Sequence, residues 1–415
     1  MFFKEGKKIL FSIPFLIFVV IMVVTFVSQY GNALTNVKEP PKQGMEEYTS
    51  YGMIETGDPE MIMQEAMGKL IQEYQANVYV HYPLSFYKEA RLGDEDKAKM
   101  DKILEKLTGY TSEKLRGTVF KSLYYTVDEE GNFVQASSPG ENLPLVSEQV
   151  SFEEFKQLMK EVEGLIGKGS NYDEESLLGY SARPKNYEEA KATYDKLKSD
   201  GMASGYARLF CDYLCLFAAL MPVFVAVAEW LRDRGANMRA LIWTRRSSSV
   251  KITFNRYLAI VVLCSAVIFV LAGIAAISLA VNCTEPDLNL WYFAYYPALW
   301  IIPSIMVSAA IGAFLTELTD TPIGILAMLV YWFIDINSNG LQIDACVPYA
   351  LVPRQNTIFA AEKFEAAFPT FLINRIGFII VSIVLMLLTA LLLERKRRGR
   401  WIQFGKITLH SNKES

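Results

Sequence analysis

Residues 257–281 read YLAIVVLCSAVIFVLAGIAAISLAV, 25 positions without a charged side chain. A helix of about 20 mainly apolar residues crosses the hydrocarbon core of a bilayer. The same test finds spans at 9–27, at about 290–315 and at about 376–393. Residues 209–230 pass with one acid inside the run, Asp212, near the outer end, and Glu229 closing it. A shorter run, PIGILAMLVYWFI at 322–334, is below the length of a secure span and fits a broken or re-entrant helix. Counting it gives six crossings.

Charge gives the orientation. Residues 231–256 hold seven bases (Arg232, Arg234, Arg239, Arg245, Arg246, Lys251, Arg256) and one acid, Asp233, in a chain of net charge -4. A nucleic-acid patch, a solvated helix face and a cytoplasmic loop would each explain this. The apolar flanks favour the loop, because cytoplasmic loops concentrate Lys and Arg, and nucleic acid is set aside as a partner. Lys4, Lys7 and Lys8 precede the first span, and ERKRRGR follows the last. Six crossings bring all three basic clusters to one side, whereas five would put ERKRRGR outside. The expectation is a multi-pass plasma-membrane protein with both termini cytoplasmic. The first apolar run is longer than the roughly 7–15 residues of a signal peptide, and it is read as an anchor.

The expected organisation follows. Residues 1–29 are the N-terminus and first span, and 30–203 an extracytoplasmic domain. Residues 204–395 carry spans two to six with the loop 231–256, and 396–415 form a basic tail. The insert counts 20 bases against 31 acids, so it is acidic while the remainder is basic. It opens on the linker NVKEPPKQG. Helical spacing marks 59–74, 151–167 and 187–201, the second with Ser151 and Glu154 in capping-box positions. GTVFKSLYYTVDEEGNFVQA reads as a hairpin turning near 130–132. The expected fold class is an α-helical polytopic membrane protein with six transmembrane helices and a large α+β domain between the first two.

Little catalytic chemistry is available. The chain has two histidines, His81 and His410, too few for a His-based metal site or proton relay, and His81 reads as structural. GLIGKGS at 164–170 fails the phosphate-loop spacing and reads as a helix cap and turn. Cys211, Cys215 and Cys264 lie in spans as packing residues. Cys283 and Cys346 fall in outer loops and could form a disulfide there. Asp212, Asp335 and Arg375 lie at the ends of spans. They either line a substrate path or sit at the water interface, where charge costs little, and the interface is the favoured reading.

Met238, Leu241, Ile242 and Trp243 set an apolar face beside Arg234, Arg239, Arg245 and Arg246, the pattern of a short amphipathic helix at a membrane surface. It either anchors to acidic lipid headgroups or docks a cytosolic partner. Two sequences extend this. GYARLFCDYLCLFAALMPVFVAVAEWLRDRG (205–235) and ALIWTRRSSSVKITFNRYLA (240–259) resemble the second span, the small apolar helix and the basic start of the third span in permease subunits of ABC-2 type exporters. The chain departs from the family pattern at Thr244-Arg245, where Thr-Pro is usual. The resemblance covers the termini and spans and leaves the insert aside. It implies a permease without catalysis or cofactor of its own, paired with a second copy or a paralogue. ATP and Mg would sit on a cytosolic ATPase partner, coupled through Arg234, Met238, Arg239, Leu241, Ile242, Trp243, Arg245 and Arg246. The alternatives are a sensor, whose insert binds a peptide or drug, and an intramembrane enzyme, for which no paired catalytic groups are visible.

Overall fold

The computed structural model describes residues 2–45, 48–83, 87–121, 123–127, 133–137, 140–235, 247–285, 288–338 and 349–398; of 123–127, 133–137, 233–235 and 338 it describes the backbone alone. Two compact units divide the chain. One holds Met1–Pro40 with Thr193–Ser415, the other Pro41–Ala192.

The chain starts with α1 (Phe2–Leu10). The Ser12 side chain then accepts from the Phe15 amide, with a proline in the first turn, and starts a new helix. This helix, α2 (Ile13–Thr35), is long and apolar. It passes through one π-turn, Phe26–Tyr30, where Tyr30 Oη donates to the Tyr206 carbonyl at 3.0 Å.

The inserted unit corrects the expected fold class. Its described strands form two-stranded antiparallel pairs. β1 (Met53–Glu55) pairs with β6 (Ala182–Pro184), β2 (Tyr79–His81) with β3 (Lys88–Ala90), and β4 (Leu123–Val127) with β5 (Phe133–Ser137). The last pair is the hairpin read from the sequence, but a two-stranded ribbon cannot enclose a core. Helices do so: α3 (Pro59–Ala76), α4 (Asp94–Thr108), α5 (Ser112–Gly117), α6 (Phe152–Ile166) and α7 (Glu174–Leu178). Met67, Leu70 and Ile71 of α3 pack with Met100, Leu104 and Leu107 of α4 and Phe155, Met159 and Val162 of α6. Asp58 caps α3 through the Glu60 amide, and Ser151 caps α6 through the Glu154 amide. The unit is a helical domain with strand ornaments, and the expected α+β domain is absent from it among the described residues.

Helix α8 (Tyr187–Asp200) leads to α9 (Met202–Ala218) and α10 (Pro222–Gly235). The break before Pro222 exposes carbonyls that side chains cover. Ser308 Oγ donates to Leu220 O at 3.2 Å and Trp332 Nε1 to Leu216 O at 2.7 Å, the repair a broken helix needs in lipid. Then come α11 (Ser249–Asn282), α12 (Tyr292–Thr319), α13 (Ile323–Ser338) and α14 (Ala361–Arg397).

Among the described residues, five segments are long and apolar enough to cross a membrane: Ile13–Thr35, Met202–Arg232, Ser249–Asn282, Tyr292–Thr319 and Ala361–Arg397. The sixth crossing expected from the sequence falls on helix α13, which is shorter than these five. Helix α13 has 16 residues, about 24 Å at 1.5 Å per residue, short of the roughly 30 Å hydrocarbon thickness. Helix α12 is the hub, packed against α9, α10, α11, α13 and α14. At its centre Gly312 meets Val223 and Ala226 of α10, and Gly324 of α13 lies against it. Such small residues let helix backbones approach closely. Outward, Ile376, Ile380, Val384, Leu387 and Leu391 of α14 and Phe269, Val270, Ile274 and Ile277 of α11 are exposed. Apolar stripes of that extent are covered by lipid. The chain is a multi-pass, largely helical membrane protein.

Candidate functional site: a polar anchor inside the helix bundle

The segment 349–360, between α13 and α14, is not regular helix, yet Ala350, Leu351 and Val352 are no more than 1% exposed. Irregular backbone inside an apolar bundle must find partners for its amides and carbonyls. Asp212 of α9, 0% exposed, supplies three acceptor contacts. Its carboxylate accepts from Arg354 Nε at 2.6 Å, from the Gln355 amide at 3.1 Å and from the Asn356 amide at 3.1 Å. Asp335 of α13 accepts from the Leu351 and Val352 amides at 2.9 and 2.8 Å. Arg375 of α14 donates to Ala350 O at 2.6 Å, to Trp300 O at 2.9 Å and to Ser304 Oγ at 2.8 Å. Ser304 Oγ in turn donates to Leu351 O at 2.8 Å, and Asn374 Nδ2 to Ala350 O at 3.0 Å.

The three charged residues singled out in the sequence therefore meet around one segment. All three are buried: they sit inside protein, bound to backbone. Asn356 takes a left-handed φ of 57°, a conformation Asn tolerates, and accepts from Arg354 Nη2 at 2.8 Å through its side chain. This arrangement can hold irregular backbone at depth. No cluster of metal-ligating side chains occurs among the described residues.

Two further buried cations were not singled out in the sequence. Arg208 of α9 is 1% exposed. It reaches Asp200 at 2.6 Å and Ser204 Oγ at 2.8 Å, with its guanidinium over the rings of Tyr296 and Phe364. The signal was present in part: Ser204 and Arg208 are four residues apart on one face of α9, and Asp200 ends α8 just before it. Lys396, read as part of a solvated tail, is buried between Glu317 and Asp320 at 3.1 and 3.2 Å. Its neighbour Arg397 donates to Ser247 O at 2.9 Å and Ser249 Oγ at 3.1 Å, and Ser249 Oγ donates to Glu394 at 2.6 Å. The start of α11 is thus fastened to the end of α14.

Of the coupling residues, Arg234 lies in the last turn of α10 with only its backbone described. Met238, Arg239, Leu241, Ile242, Trp243, Arg245 and Arg246 lie outside the described residues, as does Cys346; Cys283 is half-buried. In the inserted unit, GLIGKGS ends α6 with Gly167 at φ 117°, and His81 is buried beside it. There Tyr172 Oη donates to Glu73 at 2.8 Å, and burial raises the Glu73 carboxyl above the ordinary carboxylate range despite that bond. An open groove of about 280 Å³ runs past Tyr172, lined also by Glu153, Lys156, Lys160 and Glu163.

No family model, no curated protein and no solved structure matches this chain.

Proposed function

We propose that the chain is a permease, the membrane subunit of an ATP-driven exporter of the ABC-2 type. Its helices form the substrate pathway, and it acts as a pair with a second copy or a paralogue. A separate cytosolic ATPase, carrying ATP and Mg, docks on the loop between α10 and α11. The observation that carries the reading is the anchored segment 350–356. A transport pathway requires polar backbone at membrane depth, sheltered from lipid, and broken helices are the usual means of providing it. The short α13, the irregular segment and their anchors Asp212, Asp335 and Arg375 have that form.

The loop ends support a lever. Helix α10 runs to Gly235, while Ser247 and Ser249, where the chain returns, are bonded to Arg397 of α14. A push on the loop is delivered to two helices at once, which favours rigid-body rocking between two states. The basic clusters support an orientation with both termini and the loop 231–256 in the cytoplasm, and the acidic unit outside.

Co-purification of the tagged chain in mild detergent, with mass spectrometry of its companions, tests the reading. A stoichiometric P-loop ATPase is expected, and charge reversal at Arg239 and Arg245 releases it while the permease stays in the membrane. No ATPase at any detergent strength, or unchanged binding in the reversed variant, overturns the assignment.

A further inference from the structure

Helix α1 precedes the first span and lies against α11. Glu5 and Ile9 are buried on one side of it, the side packed on α11. Phe3 and Leu10 are 87% and 41% exposed, and Phe11 beyond the helix is 71% exposed. Lys4, Lys7 and Lys8 are exposed as well. At 3.6 residues per turn, Phe3 and Leu10 share one edge, and the three lysines fan over the arc next to it. An apolar edge beside a basic arc suits a helix lying in the headgroup plane with its apolar side down. Exposed apolar residues continue without a gap from α1 through Phe11 and Ile13 to Leu16 and Ile17 of α2, so the lipid that covers α2 also reaches the edge of α1.

We propose that α1 is a docking surface for anionic phospholipid headgroups. Charge complementarity selects them over neutral lipid. Lys8 is partly compensated by Glu5 at 3.2 Å, which leaves Lys4 and Lys7 as the principal contacts. This stands independently of what drives transport.

The test is hydrogen exchange of the backbone amides in residues 4–11. The full chain is placed in nanodiscs of phosphatidylcholine alone and of phosphatidylcholine mixed with phosphatidylglycerol. A basic side chain near an anionic surface contributes roughly fivefold, so the anionic lipid slows exchange by about tenfold or more. Raising the salt removes that increment. The double variant Lys4→Gln, Lys7→Gln loses it and keeps the protection seen in neutral lipid, whereas Phe3→Ser lowers protection in both discs. Equal exchange in the two discs, or an increment that survives in the double variant, overturns the proposal. Protection in neutral discs that appears only when an acidic protein is added also overturns it and assigns the face to a protein partner.

Discussion

Asp212→Ala removes the acceptor for one guanidinium and two backbone amides in a single change. The Gln355 and Asn356 amides each lose a charge-assisted bond; leaving the buried Gln355 donor unmade costs about 1–3 kcal/mol, and the loss at Asn356, an exposed residue, is smaller because water replaces the bond. Arg354, whose side chain is 16% exposed, loses a charged partner but retains partial access to water, and its share is about 1–2 kcal/mol. The three terms share one carboxylate and do not add fully. The expected cost is about 3–4 kcal/mol, concentrated on the segment 350–356. Asp212→Asn keeps one carbonyl acceptor but turns an NH2 group toward the other donors, and costs about 2–3 kcal/mol. Arg354→Ala leaves both amide bonds in place and costs about 1–2 kcal/mol. The assay is hydrogen exchange of amides 355 and 356 with the protein in nanodiscs, alongside thermal unfolding in detergent. At about 1.4 kcal/mol per decade, Asp212→Ala raises exchange there by about a hundredfold or more and Arg354→Ala by about tenfold. The ordering decides the matter. If Arg354→Ala costs as much as Asp212→Ala, the carboxylate serves only an ion pair and the backbone-anchoring argument is refuted.

The remaining expectations concern other parts of the molecule. A Cβ at Gly312 would lie 2.9 Å from Val223 Cγ2 and 3.1 Å from Val223 O; Gly312→Val therefore separates α12 from α10 at a cost of about 1–3 kcal/mol. Val223→Ala relieves only part of this because the backbone oxygen remains, as thermal unfolding of the single and double variants shows. Lys396→Met leaves Glu317 and Asp320 buried without their cation and costs about 3–5 kcal/mol, and adding Glu317→Gln with Asp320→Asn restores most of the melting temperature. Glu73 has a raised folded pKa, so the native state holds its proton where the unfolded chain has released it. Its contribution is greatest below the unfolded value and declines as pH rises from there through the folded value. Glu73→Gln flattens that decline in urea unfolding of the inserted unit followed from acid to neutral pH.

The spans were legible because hydrocarbon imposes one demand, a long run of apolar side chains, and the sequence displays it directly. Helix α13 was legible as an anomaly for the same reason, being apolar but too short. The inserted unit was misread because the hairpin at 123–137 has a strong β-pattern. That pattern fixes two paired strands and says nothing about what encloses the core, which here is built from helices: 59–74 and 151–167 were read from their spacing, and Asp94–Thr108 was not. The polar anchor was half legible. Asp212, Asp335 and Arg375 could be named, yet each looked interfacial because it stands at the end of an apolar run. Their partners are backbone groups 16 to 144 residues away in the chain, and no local pattern records a bond to a distant amide. Lys396 was hidden by its neighbours, since a cation within a basic run reads as solvated whatever faces it.

The anchor also sets an order of assembly. Segment 350–356 is synthesised after Asp212 and Asp335 and before Arg375, and these bonds are complete only when all three carriers, α9, α13 and α14, are packed on α12. Until α14 arrives, Ala350 O lacks the donors Arg375 and Asn374, and polar backbone without partners is excluded from hydrocarbon. A chain stopped short of α14 therefore holds this segment at the membrane surface, with two acids inside the bundle lacking the groups they bind. Insertion of the last helix is the step that closes the bundle, and an incomplete chain is distinguishable from a finished one by chemistry alone.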